Sequence, residues 1–210
     1  VVTRRAFVMH GIDNVKRHHE SLQRFQVPSI VSINRFFDDD PDALNEIKQQ
    51  CLDAGIQAEI TDYRERGGEG GLELAEAVIN LCERPSDFTP LYELDLPIIE
   101  KIETISKSIY GADGVELTAQ AKRDIKRIEN LGYGQLPVCM AKTPASLTDD
   151  PSLQGRPEGF NIHITSARVS AGAGFVVVYT GKVMTMPGLP KRPAAMDIDI
   201  DASGNISGLF

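Results

Sequence analysis

The stretch from Pro28 to Thr61 constrains this chain more than any other. Ile30, Val31 and Ile33 are β-branched and apolar, so residues 29–34 read as a strand buried on both faces and bounded in front by Pro28. Asp40-Pro41 then starts a helix, because Asp can cap the free amides and Pro is tolerated at the first helical position. Leu44, Ile47, Cys51 and Leu52 make an apolar stripe along it, and Gly55 stops it. A second strand follows at residues 57–61. Two strands joined through a helix should lie parallel with a right-handed crossover, which sets the fold class as α/β.

The unit is a Rossmann-like β-α-β sheet with flanking helices, and its strand ends carry the chemistry. The first strand runs straight into Phe36 and Phe37, placing aromatic surface at the carboxyl edge of the sheet, where open α/β sheets bind ligands. The second runs into Asp62-Tyr63-Arg64-Glu65-Arg66-Gly67-Gly68-Glu69-Gly70-Gly71. Two long loops at the same end of neighbouring strands are natural walls of one site. The glycines have two open readings: a flexible turn, or backbone lying close to a flat ligand. They do not make a dinucleotide fingerprint from Gly68, because Glu73 stands where the third glycine is needed. Nor does a Gly-Lys-Ser/Thr loop occur, since Gly181-Lys182 is followed by Val183.

Residues 2–10 read as a mixed segment, and 11–25 as a helix with Ile12, Val15, Leu22 and Phe25 on one side. His18 falls near that side, where a packed or hydrogen-bonded role is expected; His10, His19 and His163 show no ligand spacing. Further helices are expected over 72–81, over 97–109 with Ile98, Ile99, Ile102, Ile105 and Ile109 on one side, and from a Thr118 cap to Leu131, closed by Gly132. The last carries Lys122, Arg123, Lys126 and Arg127, read as a solvated face. Residues 136–141 make a short strand, and the proline-rich loop from Lys142 to Gly159 marks a boundary. Strands over 160–167 and 174–180 follow, then a proline-rigid loop from Met184 to Pro193. Asp197, Asp199 and Asp201 resemble half a calcium loop, but Gly208 stands at the bidentate position, so a solvated acidic strand is expected. The division is therefore an α/β domain at 1–142 and a small β-rich domain at 143–210.

A net charge of -8 argues against sequence-independent binding to nucleic acid, which needs Lys and Arg to neutralise phosphates. No apolar run reaches the length of a membrane-spanning helix, so the expected location is the cytoplasm. Cys51, Cys82 and Cys139 are widely spaced in apolar surroundings and are expected to be buried, reduced thiols.

Gly11-Ile12-Asp13-Asn14 with His18, Val31 to Phe36, Gly67 to Gly71, Tyr110 to Gly114, Leu136 to Thr143, and Ser170 to Phe175 with Met184 to Lys191 together resemble the formate tetrahydrofolate ligases, in order and spacing across nearly the whole chain. The resemblance covers only the second and third domains of that family. It implies the carboxy-terminal portion of an ATP-dependent ligase that joins formate to tetrahydrofolate through formyl phosphate, giving 10-formyltetrahydrofolate. It also implies that ATP and Mg2+ belong to an amino-terminal P-loop domain on the same or a separate chain, that the assembly is a homo-oligomer, and that this chain alone is inactive. The alternative is a non-catalytic folate-binding or assembly module, or one subunit of a split ligase.

By the same resemblance Phe36 is the aromatic on which the pterin stacks, and Ile60 is an apolar contact beside it. Arg64 stands where the family usually has a second stacking aromatic, Trp; a guanidinium plane can stack too, or folate affinity is weakened. Asn34, Asp39, Gly67, Gly68 and Glu69 are the remaining site-lining candidates. Phe37 replaces a usual proline and is expected to pack, and Ala145 replaces a usual aromatic. No catalytic residue and no metal ligand is assigned within the chain.

Overall fold

The computed structural model describes residues 4–181 and 191–208. Its first half realises the β-α-β unit. Helix α1 (Arg4–Gln23) leads to strand β1 (Val31–Asn34), helix α2 (Pro41–Asp53) and strand β2 (Ala58–Thr61). β1 and β2 are parallel, with Val31 opposite Ala58 and Asn34 opposite Thr61, so both strands end level. Asp40 caps α2 as its sequence predicts, its carboxylate accepting from the Asp42 amide, with Pro41 in the first turn. Ile12, Ile33, Leu44, Cys51, Ile56 and Ala58 form the core between α1, α2 and the strand pair.

Two expectations are corrected here. β1 is buried on one face only: Ile33 points inward while Ser32 and Asn34 are exposed, the period-two alternation of a strand with one covered face. The segment before Gly11 is not mixed but helical, since α1 begins at Arg4 and runs through Gly11; one glycine inside a helix costs only about 1 kcal/mol.

After β2 come a short helix α3 (Tyr63–Arg66), a 3-10 turn (Gly67–Gly71), and helix α4 (Leu72–Cys82). Helix α5 (Ile98–Ile105) continues as a π turn (Ser106–Tyr110) that Gly111 ends at φ 81. The sequence pattern does not disclose strand β3 (Gly114–Leu117), too short for its periodicity to register between two helices. Helix α6 (Ala119–Asn130) starts where expected, Thr118 accepting from the Ala121 amide. Ala121, Ile125 and Ile128 face inward, with Lys122, Arg123, Lys126 and Arg127 exposed. Strands β4 (Val138–Ala141), β5 (Asn161–Ile164), β6 (Ser166–Ser170) and β7 (Phe175–Tyr179) complete the second half, and β8 (Asp199–Ile200) and β9 (Ile206–Ser207) form a small hairpin.

Among the described residues the strands make four small sheets. β3 pairs with β5, and β7 lies between β4 and β6, parallel to β4 and antiparallel to β6. These pairings cross residue 142, where the sequence places a domain boundary. One core gathers Ile98 and Ile102 of α5, Ile125 and Ile128 of α6, Ile162 and Ile164 of β5, and Val176 and Val178 of β7.

The two cores meet through charge. Arg17 of α1 donates from Nε to the Ile109 carbonyl and from Nη2 to the Ser108 and Lys107 carbonyls, occupying acceptors that the end of a helix leaves open. Glu20 receives a bidentate pair from Arg156 at 2.8 and 2.9 Å and lies 3.6 Å from Arg17. The Arg156 hydrogen bond, with the positive charge around it, holds the Glu20 carboxyl below its ordinary value of 4.5. A depressed carboxylate stabilises the fold above its unfolded pKa, and that contribution is lost as pH falls through the folded value. Glu20 is 41% exposed, so solvent screens the gain. We expect Glu20→Gln to be less stable than the parent at neutral pH, with the difference shrinking below pH 4.5 and vanishing at lower pH in thermal-unfolding profiles.

The cysteines divide. Cys51 is fully buried and burial pushes its thiol pKa up, whereas Cys82 and Cys139 are exposed, contrary to expectation. Cys82 ends a helix and Cys139 points outward from β4, positions that local apolar composition did not distinguish. In a thiol-reagent assay two groups should react at once and the third only on unfolding.

Candidate functional site

The level ends of β1 and β2 give the candidate site its floor. Thr61 is fully buried and ties them: its hydroxyl meets that of Ser32 at 3.0 Å, and its carbonyl accepts from the Arg35 amide at 2.9 Å. The segments after both strands then leave the sheet at the same end, as the sequence predicts.

The first wall is a closed turn. The Phe36 amide donates to Asp39 Oδ2 at 2.9 Å, and the Asp39 amide donates back to the Phe36 carbonyl at 3.1 Å. The turn fixes the backbone at Phe36, whose side chain is 47% exposed. Asp39 thus has a visible task, holding Phe36 in place. Phe37 is 72% exposed and does not pack as expected; the turn directs it further outward than Phe36.

The second wall is the glycine segment, and it is ordered. The Asp62 amide donates to the Gly70 carbonyl at 2.9 Å and the Arg66 amide to the Asp62 carbonyl at 3.1 Å, folding residues 62–71 back on themselves. A side chain on Gly70 would place Cβ 2.1 Å from the Asp62 carbonyl oxygen, and one on Gly71 would place it 2.2 Å from the Tyr63 ring. Gly70 is therefore required by close backbone packing, whereas a side chain at Gly71 would displace the Tyr63 ring. Gly67 adopts φ 55, while Gly68 has open space around the Cβ position. Gly67, Gly68 and Glu69 are exposed.

Of the other predicted residues, Asn34 is exposed at the end of β1 and Ile60 is partly buried, packed against the first core. Arg64 is exposed on α3. Sequence reasoning passes over Tyr63, whose side chain is 46% exposed at this edge and braced on Gly71. Its signal was available, an aromatic next to Arg64 in a segment rich in glycines able to accommodate its ring. Asp62 and Arg35 were also passed over; they form an ion pair of 3.4 Å across the two strand ends.

Other recurring motifs sit elsewhere. Lys142 donates to the carbonyls of Thr143, Ser146 and Thr148 and lies 5.2 Å over the Tyr110 ring, with its pKa lowered by burial. Its task is to fold the loop after β4. His18 is exposed, not packed, and lines a small cavity of about 80 Å³ with Asn14, Ala145 and Ser146. Its neighbour His19 makes the hydrogen bonds instead, to Ser29 at 3.0 Å and Gln23 at 2.9 Å, because it is turned toward the segment before β1. The Asp201 carboxylate accepts from Ser203 and Asn205 and closes the β8–β9 turn. The Met184–Lys191 motif lies, except for Lys191, outside the described residues.

Among the described residues no group of three or more His, Cys, Asp or Glu is placed to hold a metal ion, and no helix is long and apolar enough to cross a membrane. In comparison with known protein families, residues 3–210 match the family described as Formate--tetrahydrofolate ligase.

Proposed function

The chain belongs to the formate–tetrahydrofolate ligase family, and we propose that it carries the folate-binding part of such an enzyme. The observation that carries this reading is Phe36, half exposed at the carboxyl edge of a parallel strand pair and locked by Asp39. A flat heteroaromatic ring gains most from an aromatic that is both accessible and already fixed, because little side-chain or loop freedom is lost on binding. Ile60, Asn34 and the exposed backbone at Gly67 and Gly68 complete the surface, with Glu69 at its rim; Arg64 offers a guanidinium plane.

The reaction proposed for the whole enzyme activates formate as formyl phosphate, since phosphate leaves far more readily than hydroxide when the folate amine attacks. This chain's contribution is positioning. The 210-residue sequence holds no Gly-Lys-Ser/Thr loop to cradle ATP phosphates, and among the described residues no group of His, Cys, Asp or Glu is placed to hold a metal. We therefore assign both to a P-loop domain beyond these residues or on a partner chain, and turnover to the assembled pair in the cytoplasm.

Arg64 in place of an aromatic favours a second reading, a binding or assembly module without turnover. Formation of 10-formyltetrahydrofolate from ATP, formate and tetrahydrofolate once a P-loop domain is supplied separates the two. The direct test of the folate site is titration of tetrahydrofolate into the chain and its Phe36→Ala variant. Unchanged binding by the variant overturns the assignment.

A further inference from the structure

Asp62 follows β2 immediately, and its backbone is tied on both sides. Its amide donates to Gly70, its carbonyl accepts from Arg66, and Gly70 lies so close over that carbonyl that only glycine fits. The side chain is 14% exposed. Oδ2 faces Arg35 at 3.4 Å, whereas Oδ1 is buried and has no hydrogen-bond partner among the described residues.

A bare, buried carboxylate oxygen is costly, because it has given up water and received nothing in exchange. Asp62 nevertheless stands beside Arg35, at the point where the Phe36 turn and the glycine segment leave the paired strands. A donor arriving with a ligand would satisfy such an acceptor. A ring stacked on Phe36 presents its edge, not its face, to the residues around it. In a 2-amino-4-oxo pterin one edge carries a ring N–H beside an exocyclic amine, two parallel donors that a carboxylate can accept together.

We propose that Asp62 is a specificity-determining residue of the site, accepting hydrogen bonds from the amino-bearing edge of the pterin while Arg35 holds the carboxylate in orientation. This rests on the folate reading above. Asp62 selects 2-amino rings, and Phe36 supplies affinity for any flat ring.

The test is calorimetric titration of two ligands, tetrahydrofolate and its analogue with methyl in place of the 2-amino group, into the chain and its Asp62→Asn and Phe36→Ala variants. The parent should prefer tetrahydrofolate by about tenfold or more, the usual effect of a hydrogen bond to a charged group. Asp62→Asn should erase that preference, weakening tetrahydrofolate and leaving the analogue unchanged, while Phe36→Ala weakens both. Equal binding of the two ligands by the parent overturns the inference without any variant. So does an Asp62→Asn variant that weakens both ligands equally, which marks a purely structural role, or one that weakens neither. If Phe36→Ala weakens neither ligand, or the parent binds no tetrahydrofolate, the folate reading itself fails and the inference falls with it.

Discussion

Phe36→Ala is expected to weaken tetrahydrofolate binding by roughly 5- to 150-fold, the equivalent of about 1–3 kcal/mol for one stacked heteroaromatic ring. That magnitude requires a ring already in place. Phe36 is tied at its amide and its carbonyl to Asp39, so truncation removes contact surface without releasing a loop whose ordering would offset the loss. The variant should fold normally, since a half-exposed side chain outside both cores contributes little to stability. Phe37→Ala is the matched control: a neighbouring ring, more exposed, whose loss should leave binding near the parent value. A larger effect from Phe37 than from Phe36 would move the stacking platform by one residue.

Lys101→Ala should destabilise the fold strongly, by about 3–5 kcal/mol. Lys101 has no exposed surface, and its ammonium donates to the Leu94, Gly134 and Leu136 carbonyls at 2.6, 2.8 and 3.1 Å. Burial lowers its pKa, with the charges of Asp95 and Glu129 opposing the shift. Alanine would strand three carbonyls and leave a cavity beside Ile98 and Ile102, loosening the segment that enters β4. For a chain of this size the melting temperature should fall by on the order of 10 °C. Lys107→Ala, whose side chain is 51% exposed in an ion pair with Glu103, should change stability by no more than about 0.5 kcal/mol. A Lys101→Ala variant as stable as the Lys107→Ala variant would mean that the buried ammonium contributes nothing.

The β-α-β unit was legible because its signals are local. Asp40-Pro41, the stripe through Leu44 and Cys51, and Gly55 act within a few residues of one another, and each does in the fold what its type requires. The Thr118 cap and the Ala121, Ile125, Ile128 face of α6 are equally local. Strand β3 was not legible, because four residues carry too little periodicity. The exposure of Cys82 and Cys139 depends on what packs beside them, and adjacent residues do not determine that. For the same reason the hydrogen-bonded role expected of His18 falls to His19.

The α/β class, the aromatic edge at Phe36, the parallel pair β1 and β2, and the family were all readable in one dimension, because alternation, capping and motif spacing survive there. Three-dimensional packing was needed to show that strands from both sides of residue 142 share a sheet and a core, and that Gly70 is demanded by a close backbone contact. It was needed too for Asp62, set against Arg35 with one oxygen bare, between two loops that the sequence separates by 27 residues. Hydrogen bonds and burial depend on which distant segments meet, and that is settled by the packing of the whole chain.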